Sequence, residues 1–180
     1  MGAVRLATVW LGGCSGCHMS FLDLDEWLID LAARADVVYS PVMDVKTYPD
    51  NVDVVLVEGA VANEENREMA HRLRERSRVV VSFGDCAVTG NVTALRNPLG
   101  VALEVLRPVY AERGDWNAGI PDERPIVPVL LDREQPVHAV VAVDYFIRGG
   151  PPPAPRIRAV VEALLDGREP VLEGADRRFG

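Results

Sequence analysis

Positive charge is what this sequence is short of. Its 19 Lys and Arg face 27 Asp and Glu, for a formal net charge of -8 at pH 7 and a pI near 4.9. Nucleic acids and anionic membranes need a basic face, so that balance excludes a general binder of either and points to a protein or small-cofactor partner. Long apolar runs are missing too, and no segment approaches the roughly 18 residues of a membrane-spanning helix. The N-terminus, Met1-Gly2-Ala3-Val4-Arg5-Leu6, has one early positive charge and no small-residue cleavage site before the turn that follows. It reads as a buried strand rather than a signal peptide, and a soluble, cytoplasmic chain is expected. Neither G-x-G-x-x-G nor a P-loop occurs, which argues against phosphate binding by glycine loops. Cysteines number three. An odd count suits metal ligation or redox chemistry better than a structural disulfide framework.

What is present is an ordinary globular composition, 48% hydrophobic over 180 residues. That length buries a core without staples, and neither a linker nor an internal repeat divides it. One domain, 1–180, is expected, with a polar and mobile tail at 174–180. Val4 to Leu11 reads as a strand apolar at nearly every position, as parallel strands buried on both faces are. From His18 to Ala35, Phe21, Leu24, Trp27, Leu28 and Leu31 recur at threes and fours, predicting one amphipathic helix. Asp36–Val42 and Val52–Val57 predict strands, Asn63–Ser77 a capped outer helix, and Arg78–Phe83 a fourth strand. Beyond Cys86 the pattern weakens. Ala87–Asn97 reads as loop, Pro98–Tyr110 as a helix broken near Pro108, and Gly114–Pro128 as irregular. Val137–Ile147 reads mostly as strand, and Ala154–Asp166 as a last helix.

Strands alternating with helices predict an α/β fold, a doubly wound parallel sheet with helices on both faces. Ligands of such sheets sit at the carboxyl ends of the strands. Cys14 and Cys17 follow the first strand in Gly12-Gly13-Cys14-Ser15-Gly16-Cys17-His18, Cys86 follows the fourth in Gly84-Asp85-Cys86, and Gly149-Gly150-Pro151 follows the last. All fall on one edge. Three thiols there select iron–sulfur, zinc or copper(I). A dithiol exchanger would need no third cysteine, and zinc would take His18 as its fourth ligand. His71 and His138 read as plain surface or core residues. Glu58, ending a buried strand on the same edge, reads equally as a neighbour of the metal or as a cap on the next helix. Gly12, Gly13, Gly59 and Gly84 read as places where backbone approaches a bulky inorganic group or a partner. Trp10, Trp27 and Trp116 read as core or interface residues, Trp116 being the best interface anchor.

The wording of four motifs adds to this. Leu11 to Ser20, Val57-Glu58-Gly59-Ala60-Val61, Gly84-Asp85-Cys86-Ala87 and Gly149-Gly150-Pro151-Pro152 together resemble the small subunit of [NiFe]-hydrogenases. Most similar is the compact subunit of cytoplasmic, bidirectional NAD-reducing hydrogenases, a relative of the cluster-carrying subunit of respiratory complex I. The resemblance runs from Val4 to about Leu165. It implies a flavodoxin-like fold and one [4Fe-4S] cluster beside the nickel–iron site of a separate large subunit. Electrons would pass from there to diaphorase subunits that carry FMN and further clusters and reduce NAD. This chain ends before the C-terminal clusters of larger members, and without paired C-x-x-C motifs it supplies no nickel ligands, so it is expected to be inactive alone.

By position the resemblance makes Cys14, Cys17 and Cys86 cluster ligands. The family's fourth cysteine sits in a Pro-Gly-Cys-Pro-Pro turn, where this chain has Gly150. Glycine has no donor, so the expectation is a [3Fe-4S] cluster, or a [4Fe-4S] cluster with an unusual fourth ligand. His18 stands where membrane-bound members carry a glutamate associated with proton passage. It reads as a hydrogen-bond donor to cluster sulfur, which would raise the reduction potential, or equally as a helix residue facing the partner. Gly13 and Gly84 join Glu58 and His18 as residues expected around the cluster. An equivalent subunit of an F420-linked hydrogenase or a complex I-like enzyme is the alternative within the family. A flavin-carrying flavodoxin-like protein and a zinc-stabilised interaction module are the alternatives outside it.

Overall fold

The computed structural model describes residues 2–113, 119–124 and 126–177. Strands β1 (Val4–Trp10), β2 (Ala35–Tyr39), β3 (Val52–Glu58), β5 (Ser77–Phe83) and β7 (Tyr145–Ile147) form one parallel sheet in the order β2-β1-β3-β5-β7. Numbered within the sheet this is 2-1-3-4-5, the flavodoxin-like order, which reverses between β1 and β3. A second, antiparallel pair joins β4 (Val61–Asn63) to β6 (Leu130–Gln135).

Side chains alternate across each strand, and both faces are covered. Leu6, Leu56, Val81 and Phe83 pack with Phe21 of α1 (Gly16–Leu22), Trp27 and Leu31 of α2 (Trp27–Arg34), and Ile157, Val160 and Leu164 of α6 (Ala154–Leu165). Their neighbours Val9, Val55, Val57 and Val80 pack with Ala70 and Leu73 of α3 (Glu64–Arg76) and Ala87 of α4 (Asp85–Thr89). Burial on both sides is why the strands read as unbroken apolar runs. The Asn63 side chain caps α3 by accepting from Asn66 N at 2.7 Å.

Several sequence expectations are corrected here. The helix expected over His18–Ala35 is two helices, separated where Asp25 takes a left-handed φ of 50°. That break turns both Leu24 and Trp27 into the core, which one straight helix beginning at Gly16 does not require. Ala87–Asn97 is not loop: α4 occupies its start and a 3-10 helix covers Thr93–Leu99. The break near Pro108 takes the form of a short α5 (Ala102–Leu106) running into a π-helical turn at Arg107–Glu112. Val137–Ile147 is mostly not strand. Val137 and Val141 are buried in a 3-10 turn and its continuation, and only Tyr145–Ile147 pairs with β5. No sequence pattern predicts β6. Residues 174–177 form a 3-10 turn. Trp116 and residues 178–180 lie outside the described residues. No helix among those described is long and apolar enough to cross a membrane.

Candidate functional site

The site begins with the turn after β1. Gly12 makes a two-hydrogen-bond bridge with Ala60, N to O at 2.9 and 2.7 Å, so the loops after β1 and β3 run against each other at the point where strand order reverses. This contact explains three glycines. A Cβ at Gly12 would stand 2.8 Å from Ala62 Cβ, one at Gly59 2.8 Å from Gly12 O, and one at Gly13 3.1 Å from Gly59 Cα. Those glycines serve loop-on-loop packing within the chain. Gly84 differs, because a Cβ there would lie 2.1 Å from Cys17 Sγ. With φ of 87° it leaves the volume that the thiol fills.

Cys14 is exposed at the edge, while Cys17 in α1 and Cys86 in α4 are buried. Ser15, in the N-cap position of α1, has a left-handed φ of 66° and its side chain caps nothing. Glu58 does the capping from the end of β3. Its carboxylate, 1% exposed, accepts from His18 N at 2.9 Å and from Cys17 N at 3.4 Å. It also pairs with His18 Nδ1. Glu58 therefore adjoins the thiols and caps a helix, and the helix is α1 rather than the next one in the chain. A carboxylate at a helix N-terminus satisfies orphan N–H groups and suits the helix dipole. His18 thus commits Nδ1 to Glu58, while Nε2 is buried without a hydrogen-bond partner. His71 and His138 are exposed, away from this cluster.

The far wall is the turn after β7. Gly84 N donates to Ile147 O at 2.8 Å, Asp85 N to Gly149 O at 2.9 Å, and Gly149 N back to Asp85 Oδ1 at 2.7 Å. Ser20 of α1 donates to Pro152 O at 2.5 Å. A Cβ on Gly16 would meet Cys14 Sγ at 3.3 Å and Pro151 at 3.9 Å, so the Gly149–Pro152 turn lies alongside the first thiol. The three cysteines and the residue-150 turn therefore come together as the sheet topology predicts. Two buried carboxylates that sequence reasoning missed adjoin them. Asp85 faces Gly150; its only signal in the sequence is an acidic residue directly before Cys86. Glu134, in β6, stands 3.4 Å from where a Gly12 Cβ would be, with Arg96 3.7 Å from its other oxygen. No pattern in the sequence marks it.

The electrostatics are those of a site short of cations. Burial pushes the Cys17 thiol far above its ordinary value, and the charges of Glu58, Cys86, Cys14 and Asp85 push it the same way. Burial also raises Cys86, with Cys14 adding and the Thr93 hydroxyl pulling the other way. Burial raises Glu134 against the pull of Thr93 and Arg96. A bound cationic metal centre reverses such shifts by deprotonating the thiols it holds. Among the described residues, no three of His, Cys, Asp or Glu gather closely enough to hold one metal ion. A tetrahedral zinc would bring its thiolates within about 4 Å of each other. Thiols after two different strands, Cys14 and Cys17 after β1 and Cys86 after β5, instead fit a multi-iron cluster, which offers each ligand its own metal.

The family model for the NADH ubiquinone oxidoreductase 20 Kd subunit matches residues 14–164. The chain is 42% identical over 171 residues to a subunit of the F420-non-reducing vhu hydrogenase of Methanococcus voltae, covering 94% of this chain and 58% of that protein. To the NAD-reducing hydrogenase HoxS subunit delta of Cupriavidus necator it is 35% identical over 181 residues, covering 99% of this chain and 86% of the relative. A crystal structure of an NAD+-reducing [NiFe]-hydrogenase in the H2-reduced state contains a chain that superposes with a TM-score of 0.93 at 36% identity, over 99% of this chain and 100% of that one. Against the Methanococcus voltae protein, the chain spans little more than half of the relative's length. The match of the family model over most of the sequence, including all three cysteines, shows that the chain belongs to the NADH ubiquinone oxidoreductase 20 Kd subunit family.

Proposed function

We propose that this chain is the electron-transfer subunit of an NAD-reducing hydrogenase and holds one iron–sulfur cluster through Cys14, Cys17 and Cys86. The observation that carries the reading is the convergence of these thiols with the Gly149–Pro152 turn at the carboxyl edge of the sheet. The cluster would relay single electrons between H2 oxidation in a large subunit and NAD reduction in diaphorase subunits, for the overall reaction H2 + NAD+ to NADH + H+. The chain's own residues hold and shield it. Glu58 fixes the start of α1 and so the direction of Cys17, and Gly84 keeps the thiol's volume clear. Phe83 packs edge-on against His18 at 6.1 Å between ring centres and closes that side. Cys14 is the exposed ligand, and Trp10, Met19 and Leu22, all close to it in the chain, are exposed apolar residues. A hydrophobic surface around the open side of a cluster is suited to a protein partner, here the nickel–iron subunit.

Iron and acid-labile sulfide analysis of the purified complex, with EPR of its reduced state, tests the reading. A cluster signal that disappears in Cys14→Ser and Cys86→Ser variants is expected. Colourless, iron-free complex with full H2-dependent NAD reduction overturns it. The 42% identity to the F420-non-reducing hydrogenase of Methanococcus voltae supports a second reading, the same cluster role feeding a different acceptor. Mass spectrometry of the co-purifying subunits separates the two, since only the first predicts flavin-bearing diaphorase chains.

A further inference from the structure

Asp85 is a buried carboxylate, 9% exposed, beside the one position where the cradle lacks a thiol. Its Oδ1 is occupied by Gly149 N. Its Oδ2 lies 3.3 Å from where a Cβ of residue 150 would stand, in the space a side chain there would enter, and Asn91 Nδ2 borders the same point at 3.2 Å. Among the described residues no Arg, Lys or His pairs with Asp85, and no hydrogen bond reaches Oδ2. No cation offsets the Asp85 carboxylate, which lies close enough to Cys17 to act on its thiol. The missing counterion is accounted for if a metal takes the free oxygen. Carboxylate oxygen is a competent ligand for iron, and a single Oδ2 with its partner oxygen pinned is held as a one-point donor.

We propose that Asp85 Oδ2 is the fourth protein ligand of the cluster, binding the iron that Gly150 leaves without a thiolate. The proposal rests on the cluster assignment above and makes the group a [4Fe-4S] cluster with three cysteines and one aspartate.

Asp85→Asn in the whole complex tests it, because the amide keeps an Oδ1 acceptor for Gly149 N and removes the anionic oxygen. One-electron oxidation by ferricyanide converts an inadequately held [4Fe-4S]3+ cluster into [3Fe-4S]+ with release of Fe2+. The variant should therefore lose about one iron in four and show the [3Fe-4S] EPR signal under oxidation that leaves the wild type intact. Asp85→Asn combined with Gly150→Cys should retain all four. Retention of four irons by Asp85→Asn alone overturns the proposal, as does a wild type isolated with three irons to four sulfides. Iron-free wild type instead overturns the cluster assignment itself. If the single variant assembles no cluster, the double variant decides: a restored four-iron signal supports the proposal, and an iron-free double variant overturns it.

Discussion

Glu58 joins two parts of the chain that are 40 residues apart, accepting backbone hydrogen bonds from α1 at the end of β3. Replacing it with alanine strands those N–H groups in a buried place, at a cost of about 2–4 kcal/mol measured by chemical denaturation. Glu58→Gln keeps an acceptor, and its loss should be less than half as large. At this scale the chemistry-bearing residues divide by how they announce themselves. Cys14, Cys17 and Cys86 were legible because thiols at strand ends are rare and the α/β alternation brings those ends together. Asp85 and Glu134 were not, because an acidic residue on a surface and one buried beside the thiols look alike until the fold sets their neighbours. Gly12, Gly13 and Gly59 stand out in the sequence as points of close approach, and the fold gives each a contact with the neighbouring loop. A glycine in sequence announces close approach without saying to what, and here it is the neighbouring loop.

Among the elements, the turn into α4 is the most constrained. A methyl group at Gly84 would meet Cys17 Sγ at 2.1 Å, at a φ of 87° that L-residues seldom adopt. Gly84→Ala should lower stability by at least about 1–3 kcal/mol from the backbone alone. It should also lower the iron content per chain, read by iron analysis alongside circular dichroism. β1, β3, β5 and α6 were legible from hydrophobic period, since each is buried on the faces that its pattern implies. Failures cluster after Cys86 and have one cause. Val137 and Val141 are apolar because they are buried in a turn, and composition does not separate burial from sheet pairing. The strand that is present nearby, Leu130–Gln135, carries Asp132, Arg133 and Glu134 and so lacks an alternating pattern. Likewise an acidic turn at Asp23–Glu26 reads as helix, and only the left-handed Asp25 shows the break.

For the whole molecule, the second face of the sheet carries a titratable group that reports on global stability. Tyr48 is completely buried, with its hydroxyl 2.6 Å from Ser77 Oγ. Burial pushes its phenol up to about 12, the Ser77 hydrogen bond opposing and Tyr39 adding. In the unfolded chain a tyrosine titrates near 10. The folded state therefore binds the proton more tightly, so the contribution is fully present below pH 10 and is lost as pH rises from about 10 to 12. Its size is roughly 2–3 kcal/mol, at about 1.4 kcal/mol per pH unit between the unfolded and folded values. Urea unfolding midpoints measured from pH 9 to 11.5 should fall, and Tyr48→Phe should flatten that slope while lowering stability at pH 8. Fold class was legible at this scale because parallel strands buried on both faces imply crossover helices. The strand order was implied by the family resemblance alone, since hydrophobic pattern does not say which strand lies beside which.

The reciprocal hydrogen bonds between Asp85 and Gly149 also say something about synthesis. Cys14 and Cys17 precede by more than a hundred residues the wall that completes their surroundings, at Gly149–Pro152. A nascent chain halted before Tyr145 would present all three thiols and lack the Gly149–Pro152 wall. The thiols are therefore enclosed on that side only once the turn after β7 has been made.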